Sequence, residues 1–438
     1  MLQTELPFDP PKSEMKHLSY RERLAKLLKG NLDFHGEKGA THVHAWHAFP
    51  ARFPPRLPER FITELTQPGD IVFDPMMGSC TTLLEAVISG RRAVGTDIDP
   101  LSLRLAQAKL NAADMKNTRE SGDELIESVR HRLSNGKDAL EKSLKKRFDP
   151  KTKAFADYWF AHSTQIELAA LADEIEKIEN RTLRAFFTLV FSSVIITKSG
   201  GVSLARDLAH TRPHRVTDKI PASPVAEFGK RLQRNLNRLT CHPQAESMVM
   251  EANSQRLPLA KETVDLIVTS PPYANNAIDY MRAHKFSLVW LGHSVSSLSR
   301  LRRTYIGGES TTGTEFLPLP AYSEHIVGRL TASDRKKGRM LHRYYSEMSR
   351  TLSEMHRVLR PGRAAVVVVG TSVIRGTDIE IQKCLREIGE HHGFEHIHTA
   401  VRRLDRNKRM MPARWNTSNT GIEARMHEEY VIGFLKTE

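Results

Sequence analysis

The chain is poor in cysteine: Cys80, Cys241 and Cys384 are the three among 438 residues. That excludes a disulfide scaffold, and the lack of a CxxC pair disfavours a structural zinc site. Long apolar runs are missing too. No stretch approaches the ~18 apolar residues that a membrane-spanning helix takes. The opening MLQTELPFDPPKSEMKH holds no apolar core of the kind secretion signals need. A soluble, cytoplasmic protein is expected, with no membrane partner. Acidic residues are in deficit, 51 against 65 Lys and Arg, so the formal charge is +14. Such a balance favours an acidic partner, and nucleic acid above a membrane surface. Apolar content is not lacking: 39% of residues are hydrophobic, enough for a large core. At ~150 residues per domain the length suits two or three units, or one large fold with an insertion.

Residues 1–40 are polar and mixed in charge, with a helical pattern at Tyr20–Leu28. The following THVHAWHAFPARFPPRLPERFI (41–62) is dense in His, Phe and Pro. Prolines at 50, 54, 55 and 58 forbid a regular helix through most of it. It reads as an ordered loop leading into a helix near Leu57–Leu65. A Pro68-Gly69 turn then starts a strand at Asp70–Phe73. A helix over Leu83–Ile88 stops at Gly90, a second strand covers Arg92–Thr96, and a second helix covers Leu101–Leu110. Two such units imply a parallel, doubly wound sheet. Helical patterns dominate next, at Glu120–Ser143 and Thr164–Thr197. Strands return at Met248–Met250, Asp265–Thr269, Ala364–Val369 and Glu429–Leu435. Helices are expected at Asp279–Leu291 and 340–358.

Two places carry chemistry. Asp74-Pro75-Met76-Met77-Gly78-Ser79-Cys80-Thr81-Thr82 joins the first strand to its helix, a backbone surface suited to a ligand. Asp97 ends the next strand, about 20 residues on, where a carboxylate can grip ribose hydroxyls. Its competing role is to cap the helix at 101. The second place is Ser270-Pro271-Pro272-Tyr273, directly after the apolar strand 265–269. Two prolines stop the sheet ladder and fix the backbone. The Ser270 hydroxyl and the Pro271 carbonyl can then hold an NH2 group, and Tyr273 offers an aromatic face to a planar ring.

Together these residues resemble the S-adenosylmethionine-dependent DNA amino-methyltransferases. In that family Ser/Asp/Asn-Pro-Pro-Tyr/Phe/Trp is the catalytic motif. IVFDPMMGSCTT (71–82) is similar to its cofactor loop, and Phe49-Pro50-Ala51-Arg52-Phe53 to the motif that contacts the methionine part. Arg256–Leu259 and Glu354–Val369 also fit. The resemblance implies an α/β fold: a Rossmann-like methyltransferase sheet over 41–110 and 245–438. It implies that a mostly helical insertion at 111–244 reads the DNA target, with a smaller one at 292–340 that contacts DNA as a second candidate for that role. It implies S-adenosylmethionine held by Phe49, Pro50, Arg52, Phe53, Asp74, Pro75, Met76, Gly78, Ser79, Thr81, Asp97, Ile98, Asn253 and Ser270. Ser270, Pro271, Pro272 and Tyr273 are the implied catalytic residues. The order of motifs, cofactor loop first, matches the family's alpha group.

Three residues depart from the pattern. Met76 stands where Phe is usual, and can fill the same space. Cys80 replaces a glycine, so an ordinary αR or β backbone is expected there. Asn253 stands where the family often has Asp near the adenine amine; its carbonyl oxygen can still accept, and Glu251 is the fallback.

A C5-cytosine route needs a Cys nucleophile, usually after Pro; these cysteines follow Ser79, Thr240 and Lys383. Direct methylation of an exocyclic amine in a flipped base is expected instead. Flipping costs a few kcal/mol, of which aromatic stacking returns ~1–3 kcal/mol. Cytosine N4 is preferred over adenine N6, because Ser in the first motif position is commoner among N4 enzymes. An RNA or tRNA amine methyltransferase and a non-catalytic DNA-binding relative are the other readings. Double-stranded DNA is the expected partner, with a cognate restriction or defence partner in view. Candidate DNA contacts are Asn275, Tyr280, Arg206, Arg212, Arg215, Arg302, Arg303, Lys336 and Lys337, set against plain solvated faces. His42, His44 and His47 read as packing rather than as metal ligands.

Overall fold

The computed structural model describes residues 17–34, 42–50, 52–111, 115–197, 201–206, 208, 213–239, 244–274, 279–404 and 428–438. Asn275 and Arg212, and most of the basic stretch 402–414, lie outside the described residues.

The first strand–helix units form where turn residues punctuate them. Strand β1 (Ile71–Asp74) leads to α3 (Thr81–Ile88), β2 (Arg92–Asp97) and α4 (Pro100–Leu110). Helices α1 (Tyr20–Lys29) and α2 (Arg56–Leu65) precede them. Strands β3 (Ser247–Glu251), β4 (Val264–Thr269), β5 (Leu359–Gly370), β8 (Phe394–Arg403) and β9 (Glu428–Lys436) complete one sheet. A short hairpin, β6 (Val373–Ile374) with β7 (Thr377–Asp378), stands apart.

Among the described residues the sheet has seven strands in the order β3-β2-β1-β4-β5-β9-β8. β3 through β5 are parallel, and β9 enters antiparallel between β5 and β8. This is the Rossmann-like α/β fold expected from the sequence. Both faces are covered, which is why β4 is buried at every residue. Alternate side chains feed opposite cores: Val72, Leu266, Val268 and Val366 on one face, Phe73, Ile267, Val367 and Val369 on the other. The order reverses between β1 and β4, and a crevice opens at the carboxyl ends of such strands.

After β4 come α11 (Tyr280–Leu288), α12 (Val295–Thr304) and α13 (Ala321–Ser333), the last two on either side of the loop 305–320. The long α14 (Arg335–Val358) and α15 (Ile381–His391) cover the face holding Phe73 and Ile267.

Between α4 and β3 come six helices: α5 (Met115–Asn135), α6 (Lys137–Arg147), α7 (Pro150–Trp159), α8 (His162–Glu176), α9 (Arg181–Ile195) and α10 (Pro224–Leu236). Leu168, Phe187, Val190 and Phe228 share one apolar cluster with Leu101 and Leu105 of α4. The helical insertion is therefore welded to the sheet.

Sequence periodicity merged elements here. Glu120–Ser143 is two helices parted at Gly136. Thr164–Thr197 is two helices parted at Asn180, whose side chain caps the second through Thr182 and Leu183 N–H. Strand β8 was not read at all. Its inner positions are half-buried and polar, because it lies at the sheet's edge. Helix α1 covers that edge with Leu24, Leu27 and Leu28. Leu28 packs so closely on β9 that a Cβ on Gly433 would sit 2.2 Å from it. Among the described residues no helix is long and apolar enough to cross a membrane.

Candidate active site

The loop after β1 is tied down at every step. Asp74 Oδ1 accepts from Met76 N–H at 3.1 Å and from the Thr269 hydroxyl at 2.7 Å. Burial pushes this carboxyl up to about 6. Met77 N–H donates to Thr96 O at 3.1 Å, and the Thr96 hydroxyl to Pro75 O at 2.8 Å. Cys80 overturns its expected geometry. Its φ is 68° and its ψ 29°, a left-handed residue at the N-cap of α3. Such a non-Gly conformation costs ~1–3 kcal/mol. Two things hold it: Cys80 N–H closes a turn onto Met77 O at 2.7 Å, and the thiol is fully buried. The chain keeps the glycine-like turn and fills the space with sulfur. Beneath it Lys109 Nζ donates to Ser79 O at 2.8 Å. Burial first, then neighbouring Arg52, pushes this ammonium down to about 7.

Asp97 stands over the loop. Its Oδ2 accepts from Gly78 N–H and its Oδ1 from Asp99 N–H, each at 2.9 Å. Burial, followed by the charge of Asp99, pushes its carboxyl up to about 7. The cap role weighed for Asp97 falls to Asp99, which accepts from Leu101 and Ser102 N–H at the start of α4. Asp99 Oδ2 also contacts His284 Nδ1 at 2.7 Å and accepts from the Tyr305 hydroxyl at 2.8 Å. Asp97 is thus left with acceptor sites to spare, since a carboxylate offers about four.

These residues enclose a cavity of about 410 Å³. Of the residues assigned to the cofactor, Phe49, Arg52, Phe53, Asp74, Pro75, Met76, Gly78, Ser79, Thr81, Asp97, Ile98, Asn253 and Ser270 line it, and Pro50 does not. The donor set suits S-adenosylmethionine. Asp97 faces the cavity with unused acceptor capacity, and Phe49, Met76 and Ile98 give it apolar walls. Asn253 Oδ1 already accepts from Gln255 N–H at 3.0 Å, which leaves its second lone pair and its amide. Glu251 is exposed and outside the lining.

Ser270 and Pro272 open onto the same cavity, and Pro271 is buried behind them. Tyr273 sits differently from the expectation. Its side chain is 8% exposed and outside the lining, and its hydroxyl donates to Glu429 Oε1 at 3.3 Å. Glu429 is itself paired with buried Arg402. Aromatic rings that do line the cavity are Phe49, Phe53, Tyr280 and Tyr305, with Tyr280 5.3 Å from Phe49.

The basic candidates separate. Arg302 and Arg303 reach the cavity, with Arg302 also paired to Asp279. Arg206 and Arg215 are exposed in the helical insertion, on two segments bridged by Arg206 N–H to His214 O at 2.9 Å. Arg215 lies over the Tyr158 ring. Lys336 and Lys337 sit at the start of α14, outside the lining. His44 is buried against Glu85, and His47 against Ser192 and its neighbour's carbonyl. Among the described residues no group of His, Cys, Asp and Glu is arranged to hold a metal.

Residues 11–108 match the model of a family described as DNA methylase, of the N6 and N4 type. The chain is 24% identical to the type II methyltransferase M.MvaI of Kocuria varians, over 95% of this chain and 96% of that one. It is 31% identical to the type II methyltransferase M.MjaII of Methanocaldococcus jannaschii, over 32% of this chain and 27% of that one. With M.AvaI of Nostoc it shares 21% identity over 80% and 79%.

Proposed function

We propose, from the chain's place among the S-adenosylmethionine-dependent DNA amino-methyltransferases, that it methylates cytosine N4 at a specific site in double-stranded DNA. The cofactor supplies an electrophilic methyl group on a sulfonium sulfur. Phe49, Met76 and Ile98 wall its site, and Asp97 accepts its ribose hydroxyls. Ser270 Oγ and the Pro271 carbonyl accept hydrogen bonds from the NH2 of a flipped base. Those bonds favour a tetrahedral nitrogen and free its lone pair, which is otherwise delocalised into the ring. The chain's contribution is positioning and local electrostatics. Tyr280, which lines the cavity with Pro272, is a ring available for stacking; Tyr273 braces the loop through Glu429.

One observation carries the reading: Ser270 and Pro272 share a single cavity with Gly78 and Asp97. The two loops are also joined by the Thr269–Asp74 bond. Exposed Arg206 and Arg215 support the helical segment 111–244 as the reader of the target, and the place of Arg302 and Arg303 at the cavity supports contact with backbone phosphates. Likeness to type II enzymes supports a cognate restriction or defence partner and a cytoplasmic site of action.

The test is mass spectrometry of nucleosides from cells expressing the protein, beside a Ser270→Ala control. The expected product is 4-methylcytosine in DNA, absent from the control. Appearance of 6-methyladenine instead would reassign the base. Methylation confined to tRNA, or a protein that binds DNA without methylating it, would reject the proposal.

A further inference from the structure

We propose that residues 303–310 form a strap completing the cofactor end of the cavity, held in place by the buried pair Arg343 and Glu347. This rests on the cofactor reading of the cavity given above. Arg343 and Glu347 stand one turn apart on α14, with side chains 4% and 8% exposed. Arg343 Nε donates to Glu347 Oε1 at 2.8 Å. Its other two nitrogens are spent on backbone. Nη1 donates to Gly308 O at 3.3 Å and to Ser310 O, and Nη2 to Arg303 O at 2.8 Å and Tyr305 O at 3.2 Å. Glu347 Oε2 accepts from Gly307 N–H at 2.8 Å. Gly307 has a φ of +72°, and a Cβ there would lie 3.2 Å from the Tyr344 ring. One planar guanidinium thus fixes the path of the strap through four carbonyls. A lysine, a point charge without the fork, cannot reproduce that set.

What the strap reaches gives it a task. Tyr305, Ile306, Gly308, Glu309 and Ser310 line the cavity. The Tyr305 hydroxyl donates to Asp99, whose own N–H holds Asp97, the carboxylate assigned to the ribose. Across the cavity lie Ala252, Asn253 and Ser254 beyond β3, and Ser254 Oγ is 3.3 Å from Thr351 on the same α14. Helix α14 therefore braces two walls at the ends of β2 and β3, where the adenosine of the cofactor would lie. The strap belongs to the segment 292–340, for which DNA contact was expected. Arg343 and Glu347 act through it, so they are positioning residues.

The experiment is calorimetric titration of the full-length protein with S-adenosylhomocysteine, alongside anisotropy of a labelled duplex. Tyr305→Phe removes one hydroxyl bonded to a charged group, and about a tenfold rise in the S-adenosylhomocysteine Kd is expected. Arg343→Lys should raise it at least as much, and the duplex Kd of Tyr305→Phe should stay unchanged. If Arg343→Lys does not fold, Tyr305→Phe decides alone, since it leaves the buried pair intact. Parent-like S-adenosylhomocysteine binding by the folded variants would overturn the strap and leave the methyltransferase reading standing. So would a loss confined to the duplex, which would assign the strap to DNA. Failure of the unaltered protein to bind S-adenosylhomocysteine would overturn the cofactor reading itself, and the strap with it.

Discussion

Lowering the pH from 8 to 6 should weaken adenosine binding about tenfold through one side chain. The carboxyl of Asp97 is pushed up to about 7 by burial, then by the adjacent charge of Asp99, against the pull of the Asp99 and Gly78 N–H groups. An ordinary aspartate would be ionised throughout that interval. Ribose hydroxyls need the ionised form, because a protonated carboxyl gives up acceptor capacity and adds a donor. Binding therefore releases the proton, and affinity is lost as the pH falls through about 7. The apparent Kd carries a factor of one plus the ratio of protonated to ionised Asp97. That factor is about 11 at pH 6 and about 1.1 at pH 8, hence the tenfold change. Asp99 stays charged through the interval. Burial would raise it, but His284 and Tyr305 bring it below its ordinary range. The ligand of choice is 5′-methylthioadenosine, which keeps adenine and ribose but lacks the titrating amino-acid group. Calorimetry at fixed ionic strength reads the Kd. Asp97→Asn keeps the shape and removes the charge, so its binding should be weaker and flatter with pH. A flat parent curve, or an Asp97→Asn curve as steep as the parent's, would refute the ribose assignment; Asp74 and Lys109, pushed to about 6 and about 7 at the same loop, set any residual slope.

Tyr273→Phe deletes one buried hydroxyl and should cost about 1 kcal/mol in thermal unfolding. Tyr273→Ala empties a ring-sized site and should cost ~3–5 kcal/mol; parent-like stability of the alanine variant would contradict the inward placement of the ring. Gly95→Ala puts a methyl 2.5 Å from Leu83 Cδ2 and 2.8 Å from Met77 Sδ. Overpacking there should cost ~1–3 kcal/mol in urea denaturation, and weaken cofactor binding through the displaced loop; an unmoved midpoint would speak against the tight β2–α3 contact. Duplex affinity should fall steeply with salt, at about −0.9 in the log–log slope per phosphate contacted. Arg206→Ala with Arg215→Ala should flatten that slope by about two if both meet phosphates; an unchanged slope would remove them from the interface.

The first two strand–helix units were legible because Gly, Pro and capping Asp punctuate them. Pro68-Gly69 starts β1, and Asp99-Pro100 starts α4. The spacing that singles out Asp97 puts it in one cavity with Gly78, from whose N–H it accepts. The partners of its neighbour Asp99 were not legible. Asp99, His284 and Tyr305 meet across separations of 185 and 206 residues, with no local pattern to announce them. Arg343 and Glu347 read only as a helical i,i+4 pair; that the pair grips a distant loop is a tertiary fact. Motif logic placed Ser270–Tyr273 on the chain but could not give the rotamer of Tyr273. Its acceptor, Glu429, lies 156 residues further on. At Cys80 the steric rule failed for an identifiable reason: turn closure and thiol burial together outweigh a local strain that the residue type alone would avoid.

Transfer to a poor nucleophile demands that two loops keep their spacing closely, because small misplacements of reacting groups cost large factors in rate. Here that spacing is set by side chains across one seam. Thr269 donates to Asp74, Thr82 donates to Val268 O at 3.1 Å, and Asp265 accepts from Ile71 N–H at 2.9 Å. All three bonds join the β1–α3 unit to β4, and none involves the helices that lie between them in sequence. The inserted helices pack on α4 at the β2 side of the sheet, and α7 and α9 also meet α12 and α11. The seam that joins the Ser270 loop to the loop after β1 therefore holds without a bond from 111–244.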